Sequence, residues 1–156
     1  MDYFSYRNLR VYQQSKTFVV FIYDLLKIFP KEENYALCDQ LRRAAISIPS
    51  NIAEGMGRTS IKEQIHFIEI SYGSLNEVMC QLELAQELQY ISKVQLEQIE
   101  QYYRDIIAAV GRNGSGSSDG DCGEGQPIEA VITESKTIPR AEKGMGREKQ
   151  TRAKHG

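Results

Sequence analysis

The feature that most restricts this chain is a run of apolar residues, Ile61, Ile65, Ile68, Tyr72, Leu75, Met79 and Leu82, spaced by alternating fours and threes without a miss. Such spacing returns to one side of a helix at every turn and traces the seam along which helices pack side by side at a shallow angle. A strand would need alternation at every second residue, which the segment lacks. A helix with so long a seam must bury it against others of its kind.

Three further segments supply those partners. Val11, Ser15, Phe18, Ile22, Leu25 and Phe29 repeat the period, and Pro30 is expected to stop that helix. Leu37, Leu41, Ala44 or Ala45, Ile48 and Ile52 predict a second helix, with Asn34 as its N-cap and Gly55 and Gly57 as its exit. Pro49 falls inside it and predicts a kink or local break near Ser47. The last stripe is Leu96, Ile99, Tyr103, Ile106 and Val110. Ser92 with Gln95 predicts a capping box before it, and Ser60 with Glu63 predicts the same device before the long helix. Four helices joined by short loops close most simply into an all-α, antiparallel up-down-up-down four-helix bundle. On the long helix, Ser71, Gly73 and Ser74 place small side chains where another backbone can come close. Phe67, Ile70 and Val78 give it a second apolar face, which predicts a subunit interface and a homo-oligomer.

The composition changes at Gly111. Residues 1–112 are read as the bundle and 113–156 as a flexible tail, because Asn113 to Gly125 is rich in Gly, Ser and Asp and too polar to order itself. Asp119, Asp121, Glu124, Glu129 and Glu134 precede a basic end with Arg140, Lys143, Arg147, Lys149, Arg152 and Lys154. A solvated appendage, native, frame-altered or engineered, is preferred to an RNA-binding arm.

Several function classes are disfavoured. No apolar run is long enough for a bilayer, and Met1 to Arg10 has no signal-peptide pattern, so a cytoplasmic protein without a membrane partner is expected. Cys38, Cys80 and Cys122 form no paired spacing and are read as reduced thiols. Glu63-Gln-Ile-His66 has the Glu-x-x-His spacing of di-iron bundles, but the other histidine is His155 in the tail, so neither metal nor cofactor is expected. No serine or cysteine has an identifiable base and no Gly-rich phosphate loop is present, which makes an enzyme the least supported class. The net charge is -2 and the pI about 5.8. The chain as a whole therefore lacks the footprint of a nucleic-acid binder, and any such contact must use local charge.

The segment Gln40-Leu-Arg-Arg-Ala-Ala-Ile-Ser-Ile-Pro-Ser-Asn-Ile-Ala-Glu-Gly-Met-Gly-Arg58, with Leu9-Arg-Val-Tyr12, Phe29-Pro-Lys-Glu-Glu33 and Phe67-Ile-Glu-Ile-Ser-Tyr-Gly-Ser-Leu-Asn-Glu77, closely resembles the four-helix proteins encoded in intervening sequences of bacterial 23S ribosomal-RNA genes. The likeness covers residues 1 to about 112. It implies a bundle that assembles into a ring, with pentamers the expected form, and a role tied to RNA. The family is also similar to the accessory protein of diversity-generating retroelements, a basic pentamer that supports a reverse transcriptase. This acidic chain departs from that cousin.

Two groups of residues are candidates for function. In the first, Arg42, Arg43 and Arg58 contact RNA phosphates while Asn51 and Glu54 hold them. The competing and preferred account is structural, with Arg42 or Arg43 paired to Glu54 or to Glu69 across an interface. The second comes from topology. An up-down-up-down bundle places Arg7, Arg10, Arg58, Lys62 and Arg112 at one pole, tempered by Glu54, Glu63 and Asp105. Glu32, Glu33, Glu83, Glu87 and Glu97 go to the other, offset by Lys31 and Lys93. In a ring the basic pole would be repeated around one face, and phosphate binding grows with the number of charges neutralised. A ring-forming adaptor for a protein such as a reverse transcriptase, without direct RNA binding, is the alternative.

Overall fold

The computed structural model describes residues 4–110. Arg112, the boundary at Gly111 and the expected flexible tail, with Cys122 and His155, lie outside them. Four helices carry the described chain: α1 (Arg10–Leu25), α2 (Leu37–Met56), α3 (Ile61–Glu87) and α4 (Lys93–Val110), with short 3-10 turns at Ser5–Asn8, Leu26–Ile28 and Lys31–Tyr35. Each helix packs on the next and α4 returns to α1, so α1 and α3 occupy one diagonal of an antiparallel four-helix bundle and α2 and α4 the other. The most extensive interface is between α2 and α3.

The α1 stripe is buried throughout, from Val11 to Phe29. The helix ends at Leu25 rather than against Pro30, because a 3-10 turn tightens the exit and the Phe29 amide donates to the Leu26 carbonyl at 3.3 Å. Its α4 seam is aromatic, with Phe18 and Phe21 5.6 and 5.0 Å from Tyr102 between ring centroids.

In α2, Leu41, Ala44, Ala45, Ile48 and Ile52 are buried as expected, and Cys38 joins them. Burial of Cys38 pushes its thiol upward. The N-cap is Ala36 rather than Asn34, which lies within a 3-10 turn. The free Leu37 amide instead donates to the Glu33 carboxylate at 3.3 Å. The local break expected at Pro49 does not occur, since one helix runs through it. The carbonyls of Ile46, Ser47 and Ile48 each accept a side-chain hydrogen bond, from Ser50 at 2.8 Å, Asn51 at 2.7 Å and Ser71 at 2.9 Å. These donors bind the backbone around the residue that lacks an N–H.

The glycines expected to end α2 act differently. Gly57 is the C-cap in an ordinary right-handed conformation. Gly55 is buried inside the helix, where an added Cβ would lie 2.9 Å from Phe67 Cβ and 3.3 Å from the Gln64 carbonyl oxygen. It permits α3 to approach α2.

That approach rotates the buried side of α3. The predicted seam is fully buried only at Ile68, Leu75 and Leu82, and Ile61 is 51% exposed. Gln64, Ser71, Val78 and Ala85 complete a second 4-3 series, displaced by one position towards α2. The proposed outer face is corrected accordingly. Val78 is core and Phe67 is half-buried, whereas Ile70 remains exposed. The small residues also divide. Ser71 and Ser74 face α2, Ser74 bonding Ser47 at 2.8 Å, while Gly73 points outward with nothing within 4 Å of an added Cβ.

The helix ends show why residue type alone does not fix a cap. Ser92 and Gln95 form the full reciprocal box, at 2.8 and 3.2 Å. Ser60 is the N-cap of α3 but makes no side-chain cap hydrogen bond. At the α3 exit, Gln89 takes a left-handed φ of 62°. The Tyr90 and Gln89 amides donate back to the Ala85 and Gln86 carbonyls at 2.8 and 2.9 Å, a Schellman closure made without glycine. Tyr90 then reaches Glu33 at 3.0 Å and ties this turn to the α1–α2 connection.

On the α3–α4 seam, Tyr103 donates to Asn76 Oδ1 at 2.9 Å. Burial, followed by the Tyr72 hydroxyl beside it, pushes its phenol up to about 12. The folded value exceeds the unfolded one, near 10. This contribution to stability is complete below pH about 10 and is lost as pH rises through about 12. Tyr103→Phe should therefore flatten the alkaline fall of the thermal midpoint over that window. An unchanged alkaline limb would refute the assignment.

Candidate nucleic-acid interface

The pole formed by the start of α1, the end of α2 and the start of α3 is assembled from the packing just described. Because Gly55 has no side chain, Phe67 settles against α2 and its ring supports the Arg58 guanidinium, 4.8 Å from the centroid. Arg58 also pairs with Glu54 one turn back in α2. Its carbonyl accepts a hydrogen bond from the buried Gln64 side chain at 2.7 Å, which fastens the α2–α3 connection to α3. Gln64 fastens this region and falls outside the predicted seam, which selects its neighbour Ile65.

Arg7 lies in the 3-10 turn before α1, with its guanidinium 4.1 Å from the Phe4 ring centroid, and its carbonyl accepts the Gln13 side chain. Arg10 is the first residue of α1, and no acidic residue occupies that first turn. Lys62 is the second residue of α3. Neither Arg10 nor Lys62 has a carboxylate partner among the described residues, and both are exposed. The positive end of a helix dipole repels a cation, by about 0.3–1 kcal/mol at an exposed site. Each is a cation at a positive helix end with no carboxylate partner among the described residues, a position that an external anion would relieve.

The structure separates the other proposed contacts. Arg42 donates to the Asn34 carbonyl at 3.3 Å, and Arg43 pairs with Asp39 at 2.8 Å. At 1.5 Å per residue, Arg42 and Arg58 are roughly 24 Å apart along α2. Arg42 and Arg43 thus belong to the opposite half of the bundle. They pair with neither Glu54 nor Glu69, because i,i+4 and capping partners on their own side of the helix are nearer. Asn51 does not hold arginines. Its amide donates to the Ser47 carbonyl and, at 2.8 Å, to the Ser47 hydroxyl. Glu69 is exposed on α3 and makes no ion pair among the described residues.

The remaining chemistry is sparse. His66 is exposed beside Phe67, and no group of three or more His, Cys, Asp or Glu among the described residues is arranged to hold a metal. Cys38 and Cys80 are free thiols. No described helix is long and apolar enough to cross a membrane. Comparison with protein-family models matches residues 7–112 to the model described as 23S rRNA-intervening sequence protein. A search of curated proteins found no match.

Proposed function

The chain belongs to the 23S rRNA-intervening sequence protein family, and from that premise we propose that it is a non-enzymatic, oligomeric bundle of the bacterial cytoplasm that associates with RNA through its basic pole. The observation that carries this reading is the placement of Arg10 and Lys62, two cations at positive helix ends without carboxylate partners among the described residues. Arg7 and Arg58 flank them, each against an aromatic ring. Phosphate is the anion that suits such a patch, because it accepts hydrogen bonds from guanidinium groups and from the free amides at a helix start.

One subunit is a weak binder on this account, since Glu54 offsets Arg58 and Glu63 stands beside Lys62. Assembly supplies the remainder. A ring, with five subunits the form implied by the resemblance, repeats the patch around one face, and affinity rises with each phosphate neutralised. The acidic balance of the whole chain keeps such binding local to that face.

The test is RNA binding as a function of salt for the native protein and for an Arg7→Glu, Arg10→Glu, Arg58→Glu variant. Each phosphate contact contributes about 0.7–0.9 to the slope of log affinity against log salt. The variant should lose its salt-sensitive binding while keeping its helical signal. Binding with an unchanged slope would sink the basic-pole assignment. A protein partner that copurifies with no RNA would favour the adaptor role instead.

A further inference from the structure

We propose that the outer face of α3 is the docking surface for the α1 face of a second copy of this chain, so that copies join head to tail. The inference rests on the oligomeric reading above and specifies the faces that meet. Its main support is the segregation of charge between diagonally opposed helices. From Glu63 to Glu87, α3 carries Glu63, Glu69, Glu77, Glu83 and Glu87 and no lysine or arginine. With Lys62, the helix has a net charge of 1 - 5 = -4. On α1, Arg10 and Lys16 against Asp24 give 2 - 1 = +1. The same sum is 0 for α2 and -1 for α4, so α1 is the one net-positive helix of the four.

These charges are little used inside the subunit. Among the described residues, none of the α3 glutamates forms an ion pair, and only Glu77 accepts a side-chain hydrogen bond, from Gln81 at 3.1 Å. The α1 acid, Asp24, is taken by Lys27 at 2.6 Å, which leaves Lys16 and Arg10 without a carboxylate. Complementary potentials favour the pairing of such faces and penalise like against like. A symmetric contact through α3 would set the glutamates of two copies against each other. A heterologous α1-to-α3 contact matches opposite signs, and such head-to-tail contacts form a ring when the rotation between successive copies closes.

Apolar groups lie within the same two faces. Val20 is 62% exposed and Tyr23 39%, while Ile70 is 38% exposed on α3. Beside Ile70 stands Gly73, inside a 27-residue helix, where glycine weakens the helix and where the subunit offers no steric reason for it. Close approach by a neighbouring α1 supplies that reason.

The test uses native mass spectrometry of the full chain and two variants, Gly73→Trp on the α3 face and Lys16→Glu with Val20→Glu on the α1 face. Both substitute exposed positions, and thermal unfolding should show folded subunits. Each variant alone is expected to be monomeric. Mixed in equal amounts they should form a dimer, because each retains one intact face. Glu69→Lys with Glu83→Lys provides a second α3 variant should Gly73→Trp lose the fold. If the native protein is an oligomer and both variants keep its mass, or if monomeric variants fail to pair on mixing, this interface is wrong and the oligomeric reading stands. A monomeric native protein would overturn both.

Discussion

Gly55→Ala is expected to lower the stability of the bundle by about 1–3 kcal/mol, and Gly55→Leu by more, because both overpack a contact that cannot yield locally. The atoms an added Cβ would meet are Phe67 Cβ and the Gln64 carbonyl, both at or near the α3 backbone. Neither is the far end of a flexible side chain, so relief requires α2 and α3 to separate. Alanine is otherwise the better helix former, by about 0.8–1.0 kcal/mol. A loss of stability therefore has to come from the interface. Urea unfolding measures it directly, and a Gly55→Ala protein as stable as the native one would show that the helices part without cost. The same substitution should weaken RNA binding, because Phe67 is the platform on which Arg58 rests.

Phe18→Ala is expected to cost about 3–5 kcal/mol, the range for removing a buried aromatic ring. Phe18 is fully buried in α1, and its ring packs near Tyr102 of α4. A domain of this size has only about 5–15 kcal/mol in total, so the variant should populate unfolded chains under mild denaturant. Truncation of exposed Val20, two residues away, should be close to neutral in the isolated subunit. Equal midpoints for Phe18→Ala and the native protein in chemical unfolding would contradict the α1–α4 packing.

The bundle was legible because its determinants are local and periodic. The α1 stripe matches burial at every position, since Val11, Ser15, Phe18, Ile22, Leu25 and Phe29 face a single core. The α3 stripe was displaced by one residue because two interleaved 4-3 series share Ile68, Leu75 and Leu82. Choosing between them depends on how close α2 comes, which Gly55, packed against Phe67, controls. The Ser60–Glu63 box failed where Ser92–Gln95 succeeded, although the residue types are alike, because a cap depends on side-chain rotamers as well as residue type.

The candidate site divided along the same line. Arg7, Arg10, Arg58 and Lys62 were placed by topology, since short loops dictate which helix ends share a pole. Arg42 and Arg43 were grouped with Arg58 by proximity in sequence, whereas a helix converts that separation into axial distance. Asn51 serves the backbone beside Pro49 because a proline inside a helix leaves carbonyl groups open to other donors.

The most direct test of an oligomeric, RNA-associated bundle is native mass spectrometry of the protein purified with and without nuclease treatment, which reads stoichiometry and bound nucleic acid together. The account predicts a discrete oligomer that carries additional nucleotide mass before treatment and keeps its subunit number after that mass is removed. A monomer with no nucleic acid in either preparation would contradict it.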